Sequence, residues 1–237
     1  MSVWQRLNEI VGSTSQRTGV VGSLANVLDP DTWLPGGKDA AFTLALIALS
    51  AKMAVSDGIV TPSELRAFQR TVEIPPAIAE QVDRLFKLAQ QDVAGYEAYA
   101  RKIRRFFSRS PDTLEHVLDG LFYIASADGM IHENELDYLK NVSDIFGFDA
   151  ARFEQIAAQH VVLDTGVDPY LVLGLTPGAD RAEVKRVYRL LVAEHHPDRL
   201  IAKGVPEELI DVATHRMQAI NLAYNQINRL PPPKPAA

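Results

Sequence analysis

Glu194-His195-His196-Pro197-Asp198-Arg199-Leu200 is the stretch on which the reading of this chain turns. It closes a helical pattern running from Asp180 to Glu194. Pro197 cannot extend that helix, because its ring clashes with the preceding turn and it has no N–H to donate. A residue before proline is pushed out of the α region, so His196 is expected at or just past the helix end. An imidazole and a carboxylate then flank a fixed φ angle. We read the turn as a contact site that the rest of the chain delivers.

On the helix before it, Val184, Tyr188 and Leu191 form an apolar stripe with Val187 on the flank. Lys185, Arg186 and Arg189 occupy the other side. Such a basic stripe is ordinarily a solvated face. Further upstream, Asp168 to Leu175 reads as little more than one helical turn, stopped by Gly174. Pro177-Gly178-Ala179-Asp180 follows as a turn, with Asp180 as N-cap. Downstream, Leu200 to Pro206 reads as a loop, and Pro206-Glu207-Glu208 puts a proline and two acids at a helix start. Leu209, Ala213, Met217, Ile220, Ala223, Tyr224 and Ile227 then keep helical spacing. Two long helices joined by a loop, with apolar stripes that can face each other, predict an antiparallel hairpin over 168–230. The tail, 231–237, holds four prolines and is expected to be disordered.

Histidine titrates near neutrality and a carboxylate can orient it, so His196 and Asp198 are chemically eligible for acid–base work. No nucleophile, oxyanion donor or phosphate-binding glycine loop accompanies them. His195, His196 and His215 invite a metal, yet their spacing offers no supporting ligands. With no cysteine in 237 residues, disulfides, thiolate zinc sites and cysteine nucleophiles are excluded.

That length suits one large domain or two modest ones, and 47% hydrophobic with 23% charged residues is ordinary for a soluble globular chain. The net charge of −6 argues against non-specific nucleic-acid binding. It is uneven: residues 1–167 carry −7 and residues 168–230 carry zero. The longest apolar run, Ala40 to Ala51, is broken by Thr43 and Ser50 and falls short of the roughly twenty residues a membrane span needs. Met1 to Val11 lacks a basic start followed by an apolar block, so it is not read as a secretory signal. It reads as a short amphipathic helix that docks on its own domain or touches a membrane surface. The expected location is cytoplasmic, with peripheral attachment to the inner membrane as the variant.

In front of the hairpin the chain is helical throughout. After a loose Gly12 to Gly37 connection within segment 1–38, Phe42, Leu46, Leu49 and Met53 recur on one helix face. Further helices are predicted over 62–72, 76–90, 94–107, 111–127, 133–146 and 150–159, giving a domain at 39–159 and a linker at 160–167. This domain contains a repeat. Asp57-Gly58-Ile59-Val60 through Glu64-Leu65 recurs 71 residues on as Asp128-Gly129-Met130-Ile131 through Glu135-Leu136. The pattern copies the second half of a calcium loop, where acid, glycine, aliphatic and glutamate recur. The first half is missing, since Met53, Val55, Ile124 and Ser126 stand where oxygen ligands belong. The same residues have a structural reading, which we prefer. The glycines turn the chain, and Thr61-Pro62-Ser63-Glu64 forms a capping box.

The repeat resembles the TerB-like (tellurite-resistance B) domain over roughly Asp39 to Gln159. That resemblance implies an all-helical bundle, with Asp57, Glu64, Asp128 and Glu135 as candidate ligands of a divalent metal. Tyr170-x-x-Leu173-Gly174, the helix Val184 to Arg189, His196-Pro197-Asp198 and Ile220-Asn221-x-Ala223-Tyr224 look like a J domain. The loop from His195 to Pro206 further resembles the DjlA group, which joins a TerB-like domain to a C-terminal J domain. Glu194 departs from the basic residue often found at its place. The resemblance implies an all-α co-chaperone without a cofactor, an activator of a DnaK-type ATPase. Lys185, Arg186, Arg189, His196, Pro197 and Asp198 would contact the chaperone. The TerB-like domain would then serve an unknown client or form a homodimer. The alternative is a metal-binding or stress-response scaffold acting mainly through the TerB-like domain.

Overall fold

The structure is a computed structural model that describes residues 45–53, 83, 95–126, 129–160, 167–202 and 210–230. Readings for 1–38, 62–72, most of 76–90, the linker core at 161–166, the 203–209 loop and helix start, and the 231–237 tail lie outside the described residues. Among those described, all regular structure is helical. The chain divides into two compact units, Met1–Gly147 and Phe148–Ala237.

The first unit contains α1 (45–53), α2 (Tyr96–Phe106), α3 (Pro111–Ala125) and α4 (Glu133–Phe146). The sequence predicts one apolar face for α1, but all of 45–53 is buried, including Ser50 and Lys52. A helix that is apolar on most sides becomes a core helix. Lys52 is accommodated because its ammonium lies over the Tyr99 ring, 5.4 Å from the centroid. Helix α2 buries Tyr99, Ala100 and Ile103 and leaves Arg101, Arg104 and Arg105 outside. Pro111 opens α3 in its first turn, where a missing N–H costs nothing. The helix runs to Ala125, two residues short of the predicted end. Tyr138 of α4 donates its buried hydroxyl to the Leu49 carbonyl at 2.8 Å, tying α4 to α1 across 89 residues of sequence. Burial is also the main reason its phenol is pushed well above the usual tyrosine range.

The second unit contains α5 (Ala150–His160), α6 (Pro169–Val172), α7 (Arg181–His195), α8 (Pro197–Ala202) and α9 (Ile210–Arg229). Asp168 caps α6 through a 2.9 Å bond from the Tyr170 N–H. Asp180 caps α7 by accepting from Ala182 and Glu183 at 2.6 and 3.0 Å. Helices α7 and α9 form the hairpin, and Val184, Leu191, Ile220, Ala223 and Ile227 fill its core with Val172 of α6 and Leu173 just after it. The Tyr188 and Tyr224 rings stack at 4.0 Å, and the Tyr188 hydroxyl donates to Asn221 Oδ1 at 2.9 Å. At the open end the Arg181 guanidinium donates to the Asn228 and Leu230 carbonyls, which the end of α9 leaves without helical partners.

Helix α5 packs with this second unit, although the sequence reading groups it with the first domain. Ala158 joins the hairpin core. Gln159, fully buried, donates to the Val172 carbonyl at 2.8 Å and accepts from Arg216 Nε at 2.5 Å. Arg216 itself is 1% exposed. A buried guanidinium must be hydrogen-bonded, and Gln159 meets part of that need.

Candidate functional site

Helix α7 ends at His195, and His196 takes φ −63° and ψ 127°, the extended conformation that proline imposes on its predecessor. The first residues of the loop expected over Leu200–Pro206, Leu200 to Ala202, are helical instead. Pro197 opens the short helix α8, because its fixed φ suits the first helical position. His196 serves as the junction. Its carbonyl accepts from the Arg199 and Leu200 N–H groups at 2.9 and 3.1 Å. Its ring Nδ1 accepts from the Asp198 N–H at 3.2 Å. Leu200, 2% exposed, holds α8 down.

This arrangement turns the polar groups outward. The Asp198 side chain is 86% exposed and that of His196 is 45% exposed, with Oδ2 and Nδ1 3.8 Å apart. With Nδ1 accepting from backbone, the neutral ring carries its proton on Nε2, available to donate outward. The turn thus presents an exposed carboxylate beside a half-exposed imidazole.

Lys185, Arg186 and Arg189 are exposed on α7, as the helical spacing predicts. Arg186 reaches Glu183 only at 3.9 Å, both side chains being well solvated, so this pair contributes little. Leu190 lies beside them and is 49% exposed, which the sequence reading did not single out. Its neighbour Leu191 faces the core, so the helical period alone could have shown Leu190 outside.

The three histidines separate. His195 is buried at the end of α7 while His196 faces out. His215 of α9 stacks with His160 of α5, ring centroids 6.1 Å apart. Burial, with the neighbouring His160 adding to it, holds His215 below the ordinary histidine range. Among the described residues no group of three acids or histidines is placed to hold a metal.

Of the repeated acids, Asp57, Glu64 and Asp128 lie outside the described residues. Glu135 is buried, 3% exposed, and its carboxylate accepts from the His132 N–H at 2.9 Å. This is the reach-back half of a capping box, the arrangement read at Thr61–Glu64 in the first copy. Gly129 has φ 95° in the turn before α4.

Arg199 was not singled out from the sequence. Its Nη1 donates to the Ala193 carbonyl at 2.7 Å, reaching back across the turn. The available signal was Pro197, four residues after Ala193, which cannot supply the donor a helix would use there.

Comparison with known proteins accords with this geometry. Residues 43–158 match the family of Tellurite resistance protein TerB, and residues 168–229 match the DnaJ domain. Among curated proteins, the co-chaperone protein DjlA of Photobacterium profundum is 31% identical over 217 residues, 81% of this chain and 78% of that protein. The DjlA of Coxiella burnetii is 30% identical, covering 75% of this chain and 73% of its own length. That of Aliivibrio fischeri is 28% identical over 81% and 79%. No solved structure matches the chain.

Proposed function

The chain belongs to the DjlA family of co-chaperones, and from that membership we propose that it binds a DnaK-type heat-shock chaperone through its J domain and stimulates the partner's ATP hydrolysis. The observation that carries the reading is the His196-Pro197-Asp198 turn, capped by its own backbone with its polar groups outward. The exposed Lys185, Arg186 and Arg189 orient the encounter with an acidic surface of the ATP-bound chaperone. The turn then makes contacts that are better in the hydrolysis-competent state and shifts the partner's population toward it. Bond cleavage belongs to the partner, and this chain is an activator rather than an enzyme. The TerB-like domain recruits clients or mediates self-assembly. Since the partner consumes ATP, the reading carries a cytoplasmic location with it.

Single-turnover ATP hydrolysis by a DnaK-type chaperone tests the proposal. His196→Gln or Asp198→Asn should return the rate to within about twofold of the unstimulated one. Helix content by circular dichroism should stay unchanged. Arg189→Glu should weaken stimulation more at low salt than at high salt. Full stimulation by either turn variant overturns the reading.

A further inference from the structure

We propose that Arg199 is the positioning residue of the His-Pro-Asp turn, its guanidinium standing in for the N–H that Pro197 lacks. The end of an α-helix leaves its last carbonyls unpaired unless something reaches back to them. Were α7 to continue, Ala193 would be bonded by the N–H of residue 197, and that residue is proline. Arg199 Nη1 donates to this carbonyl at 2.7 Å. The bond is charge-assisted, and its positive end lies at the negative pole of α7.

The consequence is directional. His196 is extended, so the two dihedrals of a single residue set the angle between α7 and α8. Backbone bonds from Arg199 and Leu200 to the His196 carbonyl fasten the turn to α8. The Arg199 side chain fastens the same turn to α7, above the buried Leu200. Its Nη1 is therefore turned back along α7 toward the chain's own backbone. Freed of this link, His196 and Asp198 would point in the binding direction for a smaller fraction of the time. Apparent affinity falls by that fraction.

The functional half of this inference rests on the co-chaperone reading, and the structural half does not. Two measurements on the full chain keep them apart. In the free protein, Arg199→Met should speed amide exchange at Asp198, Arg199 and Leu200 by about fivefold to tenfold, with α1 to α4 unaffected. Arg199→Lys, which keeps a donor able to reach the same carbonyl, should restore exchange to within about twofold of the wild type. With a DnaK-type chaperone, Arg199→Met should raise the half-saturating concentration several-fold. Maximal stimulation should be retained, and the factor should be similar at low and high salt. Unchanged exchange in the Met variant overturns the proposal, as does failure of Lys to rescue. Accelerated exchange with unchanged half-saturation removes the positioning role. A loss confined to low salt makes Arg199 a direct charge contact instead. If the wild type stimulates no chaperone, the co-chaperone reading falls, while exchange still decides whether Arg199 holds the turn.

Discussion

Gly174 shows how much a single position can decide. It follows α6 by two residues at φ 70°, and a Cβ there would come within 2.6 Å of the Gln155 amide nitrogen. Alanine would meet both the left-handed penalty and a contact that Gln155 of α5 must relieve by moving. Gly174→Ala should therefore cost the second unit about 1 to 3 kcal/mol, read as a lower urea midpoint with an unchanged slope. At this scale the sequence was partly legible. Gly174 as a stop and Asp180 as a cap follow from local chemistry and are found in those roles. The Gln155 neighbour was not, because nothing local says that α5 lies against this turn. Of the Arg199 contact only half is local: Pro197 marks a carbonyl without a helical donor, but nothing local says that the Arg199 side chain supplies one.

Among the elements, long periodic stretches were readable and short or doubly dependent ones were not. Helices α7 and α9 announce themselves by apolar spacing, whereas the six residues of α8 are too few for a period and depend on the burial of Leu200. The face that α9 turns toward α5 was also hidden, since it carries His215 and Arg216 where a core stripe would carry leucine. That face makes the joint sensitive to pH. His215 titrates below its ordinary value in the folded chain, chiefly through burial and secondly through His160, while the unfolded chain titrates near the ordinary value of 6.5. As pH falls through that unfolded value, the unfolded state takes up the proton first, so stability declines and goes on declining until the folded value is passed. Above it, His215 contributes no pH dependence. The ring protons of His215 should titrate with a midpoint below 6.5 by NMR. His215→Gln should flatten the loss of urea stability between about pH 7 and pH 5. A midpoint at or above 6.5 contradicts the burial argument.

For the molecule as a whole, the order of two helical domains followed from the sequence, but where one stops depends on what is asked. The TerB match runs to residue 158, and the sequence reading set its boundary at 159. Packing divides the chain at Gly147, which leaves α5 with the second unit. Sequence patterns see α5 as one more amphipathic helix in a helical run. They cannot see that Ala158 completes the hairpin core, or that Gln159 bridges Arg216 of α9 and the Val172 carbonyl of α6. Physically the J domain of this chain should therefore begin before α5. Two fragments decide it. One spanning 148–237 should unfold in a single cooperative transition. One spanning 168–237 loses two buried hydrogen bonds, at about 1 kcal/mol each, together with the apolar cover of Ala158. It should be less stable by about 2 to 3 kcal/mol, with faster amide exchange in α6 and in the Arg216 turn of α9. Equal stability of the two fragments would mean that α5 rests on the hairpin without supporting it, and the boundary would return to the one the family match draws.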